Sequence, residues 1–178
     1  GHSRYGYFTS YLLSKYPHDI HAVIAASPFL SQKKVCLVDS ICNIKKTYSS
    51  NKTLYYRFGI GNDYPEDFMK LDSALKKTPN NLKVSFKGFF FKEAIHNTTP
   101  GLLIGIALYE IFEYWNKQQN AYLNSTDTTI SSFYEKIEEH YGENICFSLG
   151  ALNGKGWGFF NQKEYEKAIN AWKQLVYE

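Results

Sequence analysis

Cysteine is scarce in this 178-residue chain. Cys36, Cys42 and Cys146 form an odd set with no Cys-x-x-Cys pair, so neither a disulfide framework nor a thiolate zinc site is supported. An excess of charge is lacking too: 20 Lys and Arg stand against 17 Asp and Glu, a net +3. That balance is too mild to imply nucleic acid or an anionic membrane as partner. No apolar run approaches the roughly 18 residues that cross a bilayer. No basic region followed by an apolar stretch opens the chain. Rings are abundant instead. Phe, Trp and Tyr make up 17% of residues within a hydrophobic fraction of 44% and a charged fraction of 21%, the composition of a globular chain with a ring-rich core or groove. The length suits one ordinary domain, or a small domain with an appendage.

Periodicity and punctuation alternate strand and helix over the first two thirds of the chain. Tyr7 to Tyr16 reads as a short helix stopped by Pro17, and His21 to Ser27 as a buried strand closed by Ser27-Pro28. A weak amphipathic helix, or helix and loop, is expected over residues 32 to 48. Thr53 to Ile60 is a ring-rich strand, Glu66 to Lys77 a helix with Pro65 at its first position, and Leu82 to Phe91 a strand expected to be buried most deeply at its C-terminal end. From Pro100 a helix of about four turns carries Ile104, Leu108, Ile111 and Trp115 on one face. The alternation predicts a parallel sheet covered by helices. Residues 117 to 132, rich in Asn, Ser and Thr, are expected to be a linker. Beyond it three helices are predicted: Ser132 to Tyr141, Asn144 to Phe160, and Lys163 to Tyr177.

Three residue types fall in an order that chemistry can use. Ser3 lies in Gly1-His2-Ser3-Arg4-Tyr5-Gly6, ahead of a helix. A serine nucleophile at a tight turn into a helix needs such small neighbours, and the amide of the next residue, here Arg4, can donate to an oxyanion. A base must take the serine's proton and an acid must orient the base. In α/β folds these follow as acid and then His, each in a loop after a strand. Asp63 follows the strand ending at Ile60, and His96 the strand ending at Phe91. On residue type alone Asp63 reads equally as a turn or capping residue, and His96 as a loop histidine bonded to backbone. Their order after Ser3 joins them.

With those residues in place the sequence resembles the bacterial esterase family of the α/β-hydrolase superfamily, similar to enterochelin and siderophore esterases and to esterase D. GHSRYGYFTSYLLSKYP is similar to the family's elbow and helix, AVIAASPFL to its next strand, YYRFGIGNDYPEDFMKLDSALK to its acid loop, and KEAIHNTTPGLLIGIALYEIFEYW to the stretch around its histidine. The resemblance covers about residues 1 to 116. It implies the C-terminal portion of an α/β-hydrolase, with Ser3 as nucleophile, His96 as general base and acid, and Asp63 as the acidic partner, Glu66 and Asp67 competing for that role. It implies a small-molecule ester substrate, an acyl-enzyme, no cofactor and no metal. By family analogy the compartment is periplasmic or extracellular. Two departures stand out. Tyr5 occupies a position where the family usually has Gly, and the family's strands before the elbow, with the loop that gives the second oxyanion donor, lie outside these residues. The chain alone is therefore expected to be a poor catalyst.

The C-terminal helices resemble a tetratricopeptide repeat through Leu152, Gly156, Phe159, Tyr165, Ala168, Ile169, Trp172 and Leu175. Small residues there let paired helices approach. The expected organisation is thus 1–116 hydrolase, 117–132 linker and 133–178 repeat-like helices, the last a surface for a protein partner or self-association. His18 and His21 lack an acidic or thiol cluster for a metal, and Gly59-Ile60-Gly61 lacks the third glycine of a phosphate loop.

Overall fold

The computed structural model describes residues 1–32 and 35–176. It divides into two units, Gly1–Ile111 and Phe112–Glu178. In the first, α1 (Arg4–Lys15) precedes β1 (Ala22–Ala26). A two-residue pair, β2 (Ser31–Gln32) with β3 (Val35–Cys36), leads into α2 (Val38–Thr47), followed by β4 (Leu54–Ile60), α3 (Pro65–Lys77), β5 (Val84–Phe90) and α4 (Thr99–Ile111).

The three long strands form the expected parallel sheet in the order β1-β4-β5. Ala22 stands opposite Tyr55, and Leu54 opposite Val84. All seven residues of β4 are buried, as a central strand covered on both faces requires. Strand alternation divides them. Tyr56, Phe58 and Ile60 join Leu13 of α1, Ile41 of α2 and Leu71 of α3 in one core cluster. On the opposite face Leu103 and Ala107 of α4 pack with Ala26, Ile24, Phe89 and Phe91.

The outer edge of β1 continues as a ladder. His2 pairs with Ala26 in a parallel bridge, the Ala26 amide donates to the Gly1 carbonyl at 2.8 Å, and the Ser3 amide donates to the Ala26 carbonyl at 2.9 Å. The chain leaves this ladder at Ser3 and turns straight into α1.

An ion network centred on one buried arginine ties α4 to the sheet. Arg57, in the middle of β4 and 4% exposed, donates from Nε to Glu110 at 2.9 Å and from its guanidinium to the Ser85 carbonyl at 2.5 Å. Lys87 also pairs with Glu110. Burial pulls the guanidinium pKa down, and the Glu110 charge opposes that shift.

Three sequence expectations are corrected. The helix from Pro100 stops at Ile111, and its buried residues are Thr99, Leu103, Ala107 and Ile111, whereas Ile104 and Leu108 are exposed. The segment is apolar nearly all round, so periodicity fixes no face. The C-terminal end of β5 is not its deepest part: β5 is a sheet edge, and Phe90 is 49% exposed while Phe89 and Phe91 pack against α4. The stretch at 32 to 48 is a short strand pair followed by α2; residues 33 and 34 lie outside the described residues.

The second unit holds α5 (Glu113–Asn124), α6 (Ser131–Tyr141), α7 (Leu149–Asn161) and α8 (Tyr165–Val176). Helix α5 occupies half of the expected linker. Its Lys, Gln, Ala and Leu are good helix formers, and Tyr122 anchors it, fully buried against Phe133 and Phe147 at 5.4 and 5.8 Å between ring centres. Gly142 in the left-handed region (φ 77°) ends α6 as expected. The helix expected from Asn144 begins at Leu149, with Ser148 as its cap accepting from the Ala151 amide. The last helix ends at Val176, and Tyr177 lies outside the described residues. Helices α7 and α8 pair closely around Gly156, where a Cβ would meet the Trp172 indole at 2.2 Å. Tyr165 and Ile169, two of the repeat-like positions, are exposed.

Lys155 of α7 is a buried lysine that the sequence did not single out. Its ammonium donates to the carbonyls of Tyr122 and Ser125, closing the end of α5, where backbone carbonyls lack helical partners. Burial lowers its pKa. A cleft of about 640 Å³ lies beside it, lined by Gly150, Gly154 and Gly158 among others.

Candidate active site

Parallel strands end together, and the loops that follow them share one edge of the sheet. Four segments of interest meet there: the Gly1–Ser3 turn into α1, residues 27–31 after β1, residues 61–64 after β4, and residues 91–98 after β5.

Ser3 stands at the first of these with φ 57° and ψ −122°. A residue with a Cβ pays for such a backbone, and strain of this kind concentrates where a side chain must be presented at a sharp turn. Gly6 makes the turn fit. A Cβ on it would meet the Ala26 carbonyl oxygen and Pro28 at 3.1 Å, so the small residue lets α1 lie against the end of β1. The Arg4 amide is at the first position of α1, where helix amides have no intrahelical acceptor.

Asp63 and His96 meet across the β4 and β5 loops. The His96 Nδ1 donates to Asp63 Oδ2 at 2.5 Å, with the two side chains 31% and 15% exposed. The other carboxylate oxygen of Asp63 is buried with no hydrogen-bond partner among the described residues. Two features bring the loops together. The Asn62 amide donates to the Ala94 carbonyl at 2.9 Å, and Gly61 permits the approach, since a Cβ there would lie 2.3 Å from the same oxygen. The two competing carboxylates go elsewhere. Glu66 is exposed, and Asp67 accepts from the Leu30 and Ser31 amides at 2.9 and 2.8 Å.

The turn at Ser3 touches the loop after β5 through His2. Its Nε2 donates to the His96 carbonyl at 3.0 Å, and the two rings are 4.5 Å apart. Ser3 is thus one residue from a side chain in contact with His96. Around the pair is a cleft of about 600 Å³ lined by Phe29, Asn62, Asp63, Tyr64, Ile95, His96 and Asn97. Phe29 lies 5.4 Å from Tyr64 and 6.4 Å from His96 between ring centres.

Sequence reasoning missed His2, Phe29, Tyr64 and the role of Asp67. The Ser27-Pro28 strand ending and Tyr64 ahead of Pro65 were the available signals. Both mark backbone turns, and Ser27 and Tyr64 indeed have φ of 44° and 51°. Among the described residues no three His, Cys, Asp or Glu side chains group to hold a metal ion, and no helix is long and apolar enough to cross a membrane.

No family model matches the chain, and no curated protein is significantly similar to it. Among solved structures the chain is similar to an uncharacterised protein from Capnocytophaga ochracea, at 12% identity and a TM-score of 0.59 over 97% of this chain. The chain spans 51% of that protein's length. The likeness is one of fold.

Proposed function

We propose that these residues are the catalytic set of a serine carboxylic-ester hydrolase. The observation that carries the reading is the Asp63–His96 pair at the same sheet edge as a serine in a strained turn of positive φ. In this reading Asp63 holds the imidazole with Nδ1 protonated, leaving Nε2 to take the proton from the Ser3 hydroxyl. The alkoxide attacks the ester carbonyl, and the Arg4 amide donates to the oxyanion. His96 then returns its proton to the leaving alcohol, giving an acyl-enzyme on Ser3. A water deprotonated by the same imidazole releases the acid.

One amide donor is half of an oxyanion hole, and losing one donor typically costs about 10² to 10³ in rate. The family resemblance takes the second donor from a loop ahead of the elbow. The residues present are accordingly proposed to turn over slowly by themselves. The test is hydrolysis of 4-nitrophenyl butyrate with the acyl-enzyme sought by intact mass. A slow, Ser3-dependent release with a butyryl adduct supports the reading; release that persists in Ser3→Ala rejects it.

A second reading is favoured by the C-terminal unit, where Trp157, Phe160, Tyr165 and Ile169 expose apolar surface on the paired helices α7 and α8. There the chain is a hydrolase remnant that works through a protein partner or a second copy. A folded chain with an inert Ser3 favours this reading.

A further inference from the structure

Resting on the esterase reading, we propose that His2 is a positioning residue: it fixes the His96 loop against the turn that carries Ser3, and so sets the approach of the imidazole to the serine hydroxyl. The Asp63 contact does not do this by itself. It orients the His96 ring relative to the loop after β4, and the bond from the Asn62 amide to the Ala94 carbonyl joins the same two loops a second time. Neither reaches the turn at Ser3. Among the described residues, the hydrogen bond and the ring contact that join residues 91–98 to that turn are both made by His2: Nε2 donates to the His96 carbonyl at 3.0 Å, and the two rings are 4.5 Å apart.

A tie of this kind locates its partner only if it is itself held, and the His2 backbone is held on both sides. Before it, the Ala26 amide donates to the Gly1 carbonyl at 2.8 Å; after it, the Ser3 amide donates to the Ala26 carbonyl at 2.9 Å. The carbonyl of His2 itself accepts from the Tyr5 amide of α1 at 3.0 Å. The residue next to the proposed nucleophile is thus anchored to β1 and α1, and its half-buried side chain ends on the residue that carries the base.

The same bond separates His2 from a second base. Donation to a carbonyl puts the proton on Nε2, so that nitrogen has no lone pair with which to accept the Ser3 proton. What His2 supplies is geometry. Proton transfer needs donor and acceptor within about 3 Å, and a misplacement of about 1 Å can cost about 10²-fold in rate. His2 does not line the cleft around Asp63 and His96, so its loss should act on the chemical step and spare binding.

The experiment measures fluorophosphonate labelling of the native chain, His2→Gln, His2→Asn and His2→Phe over a range of probe concentrations, which separates the maximal labelling rate from the half-saturating concentration. The Gln amide nitrogen reaches the place of Nε2 and donates, but takes up no proton at neutral pH. Asn carries the same amide on a shorter arm, and Phe keeps a ring against His96 without the donor. His2→Gln should label within about threefold of the native maximal rate, and His2→Asn and His2→Phe about tenfold or more slower, all with the native half-saturating concentration. All three should keep the downfield His96 Nδ1 proton in NMR spectra, because the bond to Asp63 is untouched. Gln and Asn bring the same chemical group, so a difference between them reports reach and not folding. Native rates in His2→Asn and His2→Phe, a His2→Gln as slow as either, or an effect confined to the half-saturating concentration would each overturn the proposal. So would loss of the His96 proton in the slow variants, since His2 would then be assembling the Asp63–His96 pair rather than placing it. The esterase reading fails in a different way: a folded native chain that takes no label on Ser3 rejects that reading, and this proposal with it.

Discussion

Gly61→Ala tests the claim that the acid and histidine loops are held together by a close backbone approach. A Cβ at residue 61 would sit 2.3 Å from the Ala94 carbonyl oxygen, 2.8 Å from its carbon and 3.0 Å from Asp63 Oδ1. An ordinary contact needs at least 3.4 Å or so, and the two tightest neighbours are backbone atoms that cannot swing aside as a side-chain end can. The loops must separate by about 1 Å, losing the Asn62–Ala94 hydrogen bond and pulling Asp63 from His96. Overpacking of this kind costs about 1–3 kcal/mol, which for a domain of this size is a melting-temperature drop of roughly 5 to 15 °C. Circular dichroism reads the melting point. Proton NMR reads the pairing through the downfield His96 Nδ1 proton, which should disappear or shift upfield. Gly105→Ala in α4 is the control. Nothing lies within 4 Å of its Cβ, so it should stabilise by up to about 1 kcal/mol through helix propensity alone. A Gly61→Ala chain that melts like the native one and keeps the His96 resonance would refute the reasoning.

Glu110→Ala should cost about 3 kcal/mol in urea denaturation, because it strands the buried Arg57 guanidinium, while Arg57→Met with Glu110→Leu should recover most of that loss. Equal stability of the single variant and the native chain would contradict the network's role. Burial, with the Asp127 charge adding to it, raises the Tyr122 hydroxyl pKa to about 12 from 10.0. The folded state thus holds this proton more tightly than the unfolded one. The stability it contributes is full below pH 10 and lost as pH rises through 12. Ultraviolet titration should show two late-ionising tyrosines, Tyr122 and the fully buried Tyr56, whose pKa burial raises further still, and Tyr122→Phe should remove one of them. Because the Tyr122 hydroxyl is buried without a partner among the described residues, that variant should be within about 1 kcal/mol of native stability at pH 7.

Much of the first unit was legible because its punctuation is strong. Pro17, Ser27-Pro28 and Pro65 mark element ends that the structure keeps within a residue or three, and central β4 carries an unbroken apolar face of Leu54, Tyr56, Phe58 and Ile60. The Asp63–His96 contact was legible only as order: acid after one strand, histidine after the next. What brings them to 2.5 Å is Gly61, whose importance is an approach between segments about 30 residues apart and leaves no local signal. Helix α4 hid its buried face because Leu102, Ile104, Ile106 and Leu108 surround Leu103 and Ala107 with equal hydropathy. Lys155 and Arg57 were invisible as core residues for the opposite reason. Their type reads as surface, and burial depends on carbonyls and a carboxylate supplied from distant segments. The placement of Phe29 and Tyr64 at the cleft depended on positive-φ backbones at Ser27 and Tyr64, which composition does not announce.

The most direct test of the central claim is labelling of the native chain by a fluorophosphonate, read by intact mass and peptide mapping beside Ser3→Ala and His96→Ala. The account predicts one adduct on Ser3, absent from the serine variant and strongly slowed in the histidine variant, since the proposed nucleophile, base and acid all lie within this chain. A folded native chain that takes no label, or one labelled equally after Ser3→Ala, would contradict it.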